Sequence, residues 1–126
     1  MSAFFRSRLR SIGYALEGWW HVLRTQGNAW IHAGISSAVI LVGFWLRLSL
    51  QEWAVIVLTL ALVWAAESFN TALEALTDLV NPEQHHLAKT AKDVSAGAVL
   101  ICAAAAVLIG LLILGPPLWL KLQALF

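Results

Sequence analysis

Apolar positions recur at intervals of three and four along the first two dozen residues: Phe5, Leu9, Ile12, Leu16, Trp19, Trp20 and Leu23. That spacing predicts a helix over roughly residues 1–27. Arg6, Arg10, Glu17, His21 and Arg24 fall largely on its other side. A helix with one aromatic-aliphatic face and one arginine-rich face suits the plane of a membrane interface. The same pattern also fits a helix packed on its own protein, and different parts of one surface can do each. No cleavable signal is evident, because no uninterrupted apolar core follows the early arginines before Glu17.

Beyond Asn28 the periodicity gives way to long apolar runs. The first is "AWIHAGISSAVILVGFWL", about Ala29 to Leu46, ahead of Arg47. The second starts at Trp53 with fourteen residues lacking any charge, "WAVIVLTLALVWAA", and continues in helical register to about Val80. Pro82 then disfavours helix at Asn81. The third is Val94 to Leu114, twenty-one uncharged residues, which Gly115, Pro116 and Pro117 are expected to stop. The expected architecture is all-α and membrane-embedded. It has an interfacial helix over 1–27 and three transmembrane helices over about 29–48, 52–80 and 92–114.

Composition agrees with this reading. Of 126 residues, 60% are hydrophobic and only 12% charged, against about 45–50% and 25% in an average soluble domain. Mean hydropathy is +0.78. This length suits one compact unit. The net charge of +1 gives no reason to expect nucleic acid as a partner. The lone Cys102 cannot form an intrachain disulfide and reads as a small packing residue.

The basic residues assign direction. Arg6, Arg8, Arg10 and Arg24 precede the first crossing, and Lys89 and Lys92 lie between the second and third, against only Arg47 and Lys121 on the opposite side. Such an imbalance places the N-terminus and the second connection in the cytoplasm. Trp53 and Trp119 would then belong to the outer aromatic belt.

Depth singles out the acidic stretch that ends the second run, "ESFNTALEALTD", Glu67 to Asp78. At about 1.5 Å per residue, Trp53 to Glu67 covers about 21 Å of a hydrocarbon layer about 30 Å thick. Glu67 therefore remains roughly 9 Å inside the cytoplasmic edge. Glu67, Asn70, Thr71, Glu74 and Asp78 share one helical stripe. Ionisable groups are costly against lipid, so the stripe must face other helices or a wet cleft.

Lys89, Lys92 and Asp93 arrive at the same level on the third segment, and Gln26 and Asn28 on the first. The small residues Ser95, Ala96, Gly97 and Ala98 let helices approach closely there. Carboxylates and amide oxygens are hard ligands suited to Mg²⁺, whose shell substrate phosphates complete. A lysine can neutralise phosphate oxygens. A buried carboxylate can take a proton from a lipid alcohol. Metal, phosphate cation and base are the parts of a phosphoryl-transfer site. No G-x-x-x-x-G-K-[ST] loop and no kinase-type glycine loop is present. Blander readings stand beside this one. Lys92 and Asp93 also fit a positive flank and a charge at a helix N-terminus, and His85 and His86 are adjacent rather than at metal-ligand spacing. A small proton-coupled transporter would explain Glu67, though not why Glu74, Lys92 and Asp93 share its depth.

The run "ESFNTALEALTDLVNPEQHHLAKTAKDVSAGAVL", Glu67 to Leu100, closely resembles the signature of the prokaryotic diacylglycerol kinase family, which includes the undecaprenol kinases. Its E-x-x-N-[ST]-A-x-E-x-x-x-D pattern followed by A-K-D is long and specific, and weaker likeness extends through "GYALEGWWHVLRTQGNAWIH". The resemblance implies a homotrimeric bacterial inner-membrane kinase with active sites shared between subunits, taking ATP, Mg²⁺ and a lipid alcohol. It implies Glu67 as catalytic base, Asn70 beside it, and Glu74 as ligand for the magnesium of MgATP. Lys92 and Asp93 would contact ATP, with Glu83, Gln84 and His85 in a nucleotide-contacting loop and Tyr14 reaching it from the surface helix. Two positions depart from the family pattern. Gln26 stands where the best-known members carry a second metal-binding glutamate, and Ser7 stands between Arg6 and Arg8 where an arginine is expected. Diacylglycerol is the first choice of substrate. The spacing of Thr25, Asn28, Ile31 and His32 looks more like the undecaprenol kinases.

Overall fold

The computed structural model describes residues 3–80 and 85–124. Four α-helices and no strand occur among them: α1 (Ala3–Thr25), α2 (Gly27–Leu46), α3 (Leu50–Val80) and α4 (His86–Gln123). Three of these, α2, α3 and α4, are long and apolar enough to cross a membrane. The described chain is therefore the expected all-α arrangement of one N-terminal helix and three candidate spans.

The break between α1 and α2 falls on one residue. Gln26 adopts an extended backbone (φ −101, ψ 116) and caps α2 without a side-chain hydrogen bond to the helix. Its side chain is thereby free to turn toward α3. The apolar face of α1, including Leu9, Ile12, Leu16 and Trp20, is exposed in the protomer, as a surface meant for an apolar medium would be. Only its C-terminal end docks, where Val22 is buried and the Trp19 ring lies 5.4 Å from Trp64 of α3.

At the opposite end the α2–α3 connection is tight. Arg47 takes the left-handed conformation (φ 59). Its N–H donates to the Phe44 carbonyl and that of Leu48 to the Gly43 carbonyl, the paired bonds that close a helix C-terminus. Trp53 then folds back onto α2. A Cβ at Gly43 would sit 2.9 Å from the Trp53 ring, so this position needs a residue without a side chain.

The expectation that Gly115, Pro116 and Pro117 end the last helix is corrected, because α4 continues through both prolines to Gln123. Each proline removes one N–H, costing the carbonyls of Leu112 and Ile113 their usual donors. The break stays local because the segment beyond is held elsewhere. Lys121 donates to the Trp45 carbonyl and lies 4.4 Å from the Trp45 ring centroid. The helix also starts at His86, before the expected onset near residue 92. Arg47 and Lys121 thus share one end of the bundle. Lys92, paired with Asp78, marks the other.

Candidate active site

The polar side chains of α3 divide into those that find partners within the helix or across to its neighbours and one that does not. Ser68, Thr71 and Thr77 each donate to the carbonyl four residues back. That arrangement lets a hydroxyl rest in a low-dielectric layer without an external partner. Glu67 has no such outlet. It is 1% exposed, and neither carboxylate oxygen has a hydrogen-bond partner among the described residues. His32 of α2 faces it, with Nε2 lying 3.8 Å from Glu67 Oε2.

One to two turns further along α3, the side chains knit into a network. Glu74 Oε1 accepts from Asn70 Nδ2 at 3.1 Å, and Glu74 Oε2 accepts from Gln26 Nε2 at 3.2 Å. Asn70 Oδ1 accepts from the Ser95 hydroxyl at 2.6 Å, and that hydroxyl also lies 2.9 Å from the Lys92 carbonyl. The α1–α2 break, α3 and the start of α4 are joined through one carboxylate and two amides. Asn70 is fixed in both directions. Gln26 bonds through its nitrogen alone, so a half-turn of its amide presents an oxygen instead.

The charged residues nearer the mouth pair locally. Lys92 bridges from α4 to Asp78 of α3, and Lys89 lies 3.4 Å from Asp93 one turn along α4. Asp93 is 65% exposed and Tyr14 on α1 is 69% exposed, and neither reaches the Glu74 network. His85 caps α4, its ring nitrogen accepting the Leu87 N–H at 3.3 Å. Glu83 and Gln84 lie outside the described residues. Among the described residues the structure gathers Gln26, Glu67, Asn70 and Glu74, sets Lys92 beside them, and leaves Tyr14, His85 and Asp93 apart.

Two hollows meet beside Glu67, at His32. A cleft of about 240 Å³ opens onto its carboxylate, lined also by Asn28, His32, Asn70 and Ala96. A longer apolar groove of about 560 Å³ runs between α2, α3 and α4, past Ile35, Val63, Val107 and Leu114 to Leu118. Ile31, His32 and Ala103 line both. A molecule with an oily tail and a polar head could place the tail in the groove and the head against Glu67.

A sequence profile described as prokaryotic diacylglycerol kinase matches residues 13–114. The chain belongs to that family. The chain is 40% identical to the undecaprenol kinase of Bacillus subtilis, over 94% of this chain and 93% of that protein. It is 46% identical to the diacylglycerol kinase of a Synechocystis species over 87% of its own length, spanning 63% of that protein. Identity to the diacylglycerol kinase of Escherichia coli K12 is 29% over 82% of this chain. The protein is thus a lipid kinase, which sets the transporter reading aside. Membership of a kinase family implies nucleotide-dependent phosphoryl transfer.

His32 and Ser95 are the site residues whose roles spacing did not reveal. His32 carried a signal, being the sole titratable residue in its apolar segment, a position that by default deserves a functional reading. Ser95 read only as a small residue that lets helices approach.

Proposed function

We propose that the protein transfers the γ-phosphoryl group of ATP to the hydroxyl of a membrane lipid at the cytoplasmic interface, with diacylglycerol as acceptor and phosphatidate as product. The observation that carries this reading is the buried carboxylate of Glu67, without a hydrogen-bond partner among the described residues, in a cleft that shares Ile31, His32 and Ala103 with the apolar groove. Acyl chains in the groove would bring the lipid hydroxyl to Glu67. The carboxylate takes the hydroxyl proton as the oxygen forms its bond to the γ-phosphorus, and the bond to ADP breaks. Asn70, held by Glu74 and Ser95, keeps the cleft wall beside this oxygen in place. Lys92 offers a cation for the phosphates after exchanging its contact with Asp78.

The donor set fits a magnesium ion that arrives with the nucleotide. Among the described residues no three His, Cys, Asp or Glu side chains cluster as a metal site, but Mg²⁺ commonly uses one or two carboxylates and takes the rest of its shell from phosphates and water. Glu74 would hold the ion, with the Gln26 oxygen turned toward it, and the ion would neutralise phosphate charge. Asp93, Tyr14 and the loop carrying Glu83, Gln84 and His85 would complete the nucleotide site. Tyr14 and Asp93 stand apart from Glu74 within a protomer, which favours a homotrimer whose sites are shared between subunits. We place the enzyme in the bacterial inner membrane with its N-terminus in the cytoplasm, as the basic residues around α1 and the start of α4 favour.

Undecaprenol is the second reading, favoured by the near full-length likeness to the Bacillus subtilis kinase. Purified enzyme given radiolabelled ATP with both lipids side by side separates the two. Labelled phosphatidate alone supports diacylglycerol, and labelled undecaprenyl phosphate alone supports the alternative. Label in neither lipid, from folded protein with Mg²⁺ present, overturns both.

A further inference from the structure

His32 has no place in the reaction as described, yet its Nε2 lies 3.8 Å from the carboxylate of the base. Its Nε2 is buried and, like both Glu67 oxygens, lacks a hydrogen-bond partner among the described residues. The imidazole is also held from behind. The Trp64 ring lies edge-on to it at 6.2 Å. Trp64 is in turn fixed by a hydrogen bond from its Nε1 to Ser36 Oγ at 3.2 Å and by Trp19 of α1 at 5.4 Å. A histidine braced this way, on a different helix from the carboxylate it faces, has few orientations open to it.

We propose that His32 is a positioning residue for Glu67: its Nε2–H holds Oε2, which leaves Oε1 aimed into the cleft to receive the lipid proton. The 3.8 Å separation is longer than a hydrogen bond, as catalytic contacts often are before substrate fills the site. A small turn of the flexible Glu67 side chain closes it. Without His32 the carboxylate could turn within the cleft, and a misplacement of about 1 Å can cost about a hundredfold in rate. His32 also lines both hollows, so the group that orients the base stands where the lipid head would give way to its tail.

This inference rests on Glu67 being the base, and two measurements keep the ideas separate. The first is kinetic, on full-length His32→Ala and His32→Gln enzymes in detergent–lipid micelles. We expect His32→Ala to lower kcat about 10- to 100-fold with the KM for ATP unchanged. His32→Gln, which can restore an N–H near the same point, should recover most of that loss. Native kcat in His32→Ala, or a loss that glutamine does not recover, overturns the proposal. The second is spectroscopic. The ¹⁵N resonance of the His32 Nε2 should move when Glu67 is replaced by Gln, and an unmoved resonance overturns the contact whatever the activity. A moved resonance beside a fully active Glu67→Gln enzyme would leave the contact standing and remove the base, the one result that sinks the assignment of Glu67 alone.

Discussion

Among the side chains of α3, hydrogen-bond accounting separates structure from chemistry. Ser68, Thr71 and Thr77 dispose of their hydroxyls within the helix, whereas Glu67 keeps two bare oxygens at 1% exposure. A polar group buried without a partner is costly, and on the proposed function the lipid hydroxyl supplies one. Glu67→Gln should therefore lower phosphoryl transfer by about 10²- to 10⁴-fold while the protein still extracts and elutes as the native assembly. Turnover near the native rate would remove its role as base. Gln26 lends itself to a second substitution. Replacing its Nε2, which donates to Glu74, by a carboxylate oxygen sets two like charges together until a cation separates them. Gln26→Glu should lower the Mg²⁺ concentration for half-maximal activity and reduce thermal stability in chelator, with Mg²⁺ restoring it. An unchanged metal titration would place Gln26 outside the ion's reach.

The elements owe their lengths to different causes. Helix α3 has 31 residues, about 45 Å, so it crosses the apolar layer and still carries Glu74 and Asp78 to the far rim. Its start is set by the turn at Arg47 and by Trp53 folding against Gly43 and the Phe44 ring, 4.8 Å away. Gly43→Ala should destabilise the protein by about 1–3 kcal/mol, since the aromatic ring cannot yield cheaply. Gly34→Ala is the control. A Cβ there meets nothing within 4 Å, and thermal unfolding in detergent should show it no less stable than the native chain. Equal midpoints for the two variants would mean that the ring has room to shift. In α4 the sequence rule misled: Pro116 and Pro117 delete bonds and crowd the preceding turn, yet the helix continues, and the contact of Lys121 with Trp45 holds the continuation.

In the molecule as a whole, charge and apolarity lie along one axis. Lys89 and Lys92 stand at the Glu74 end, Arg47 and Lys121 at the other, and the groove connects the two regions. That polarity should be readable in cells. In a Cys102→Ala background, a thiol introduced as Lys121→Cys should react with a membrane-impermeant maleimide from outside. One introduced as Lys89→Cys should react only after permeabilisation. The reverse pattern would invert the topology and move the nucleotide side out of the cytoplasm.

Residue order alone settled the all-α class, the three apolar runs and the stripe that Glu67 begins, because helical rise and period turn position in the chain into length and direction. The family signature was legible for the same reason: its acids and amides are local to one helix and the start of the next. Three-dimensional packing alone decided that Gln26 and Ser95 join Asn70 and Glu74, that Lys92 pairs with Asp78, and that His32 faces Glu67. Those choices depend on how one helix is rotated against another, and no spacing within a single helix encodes that rotation.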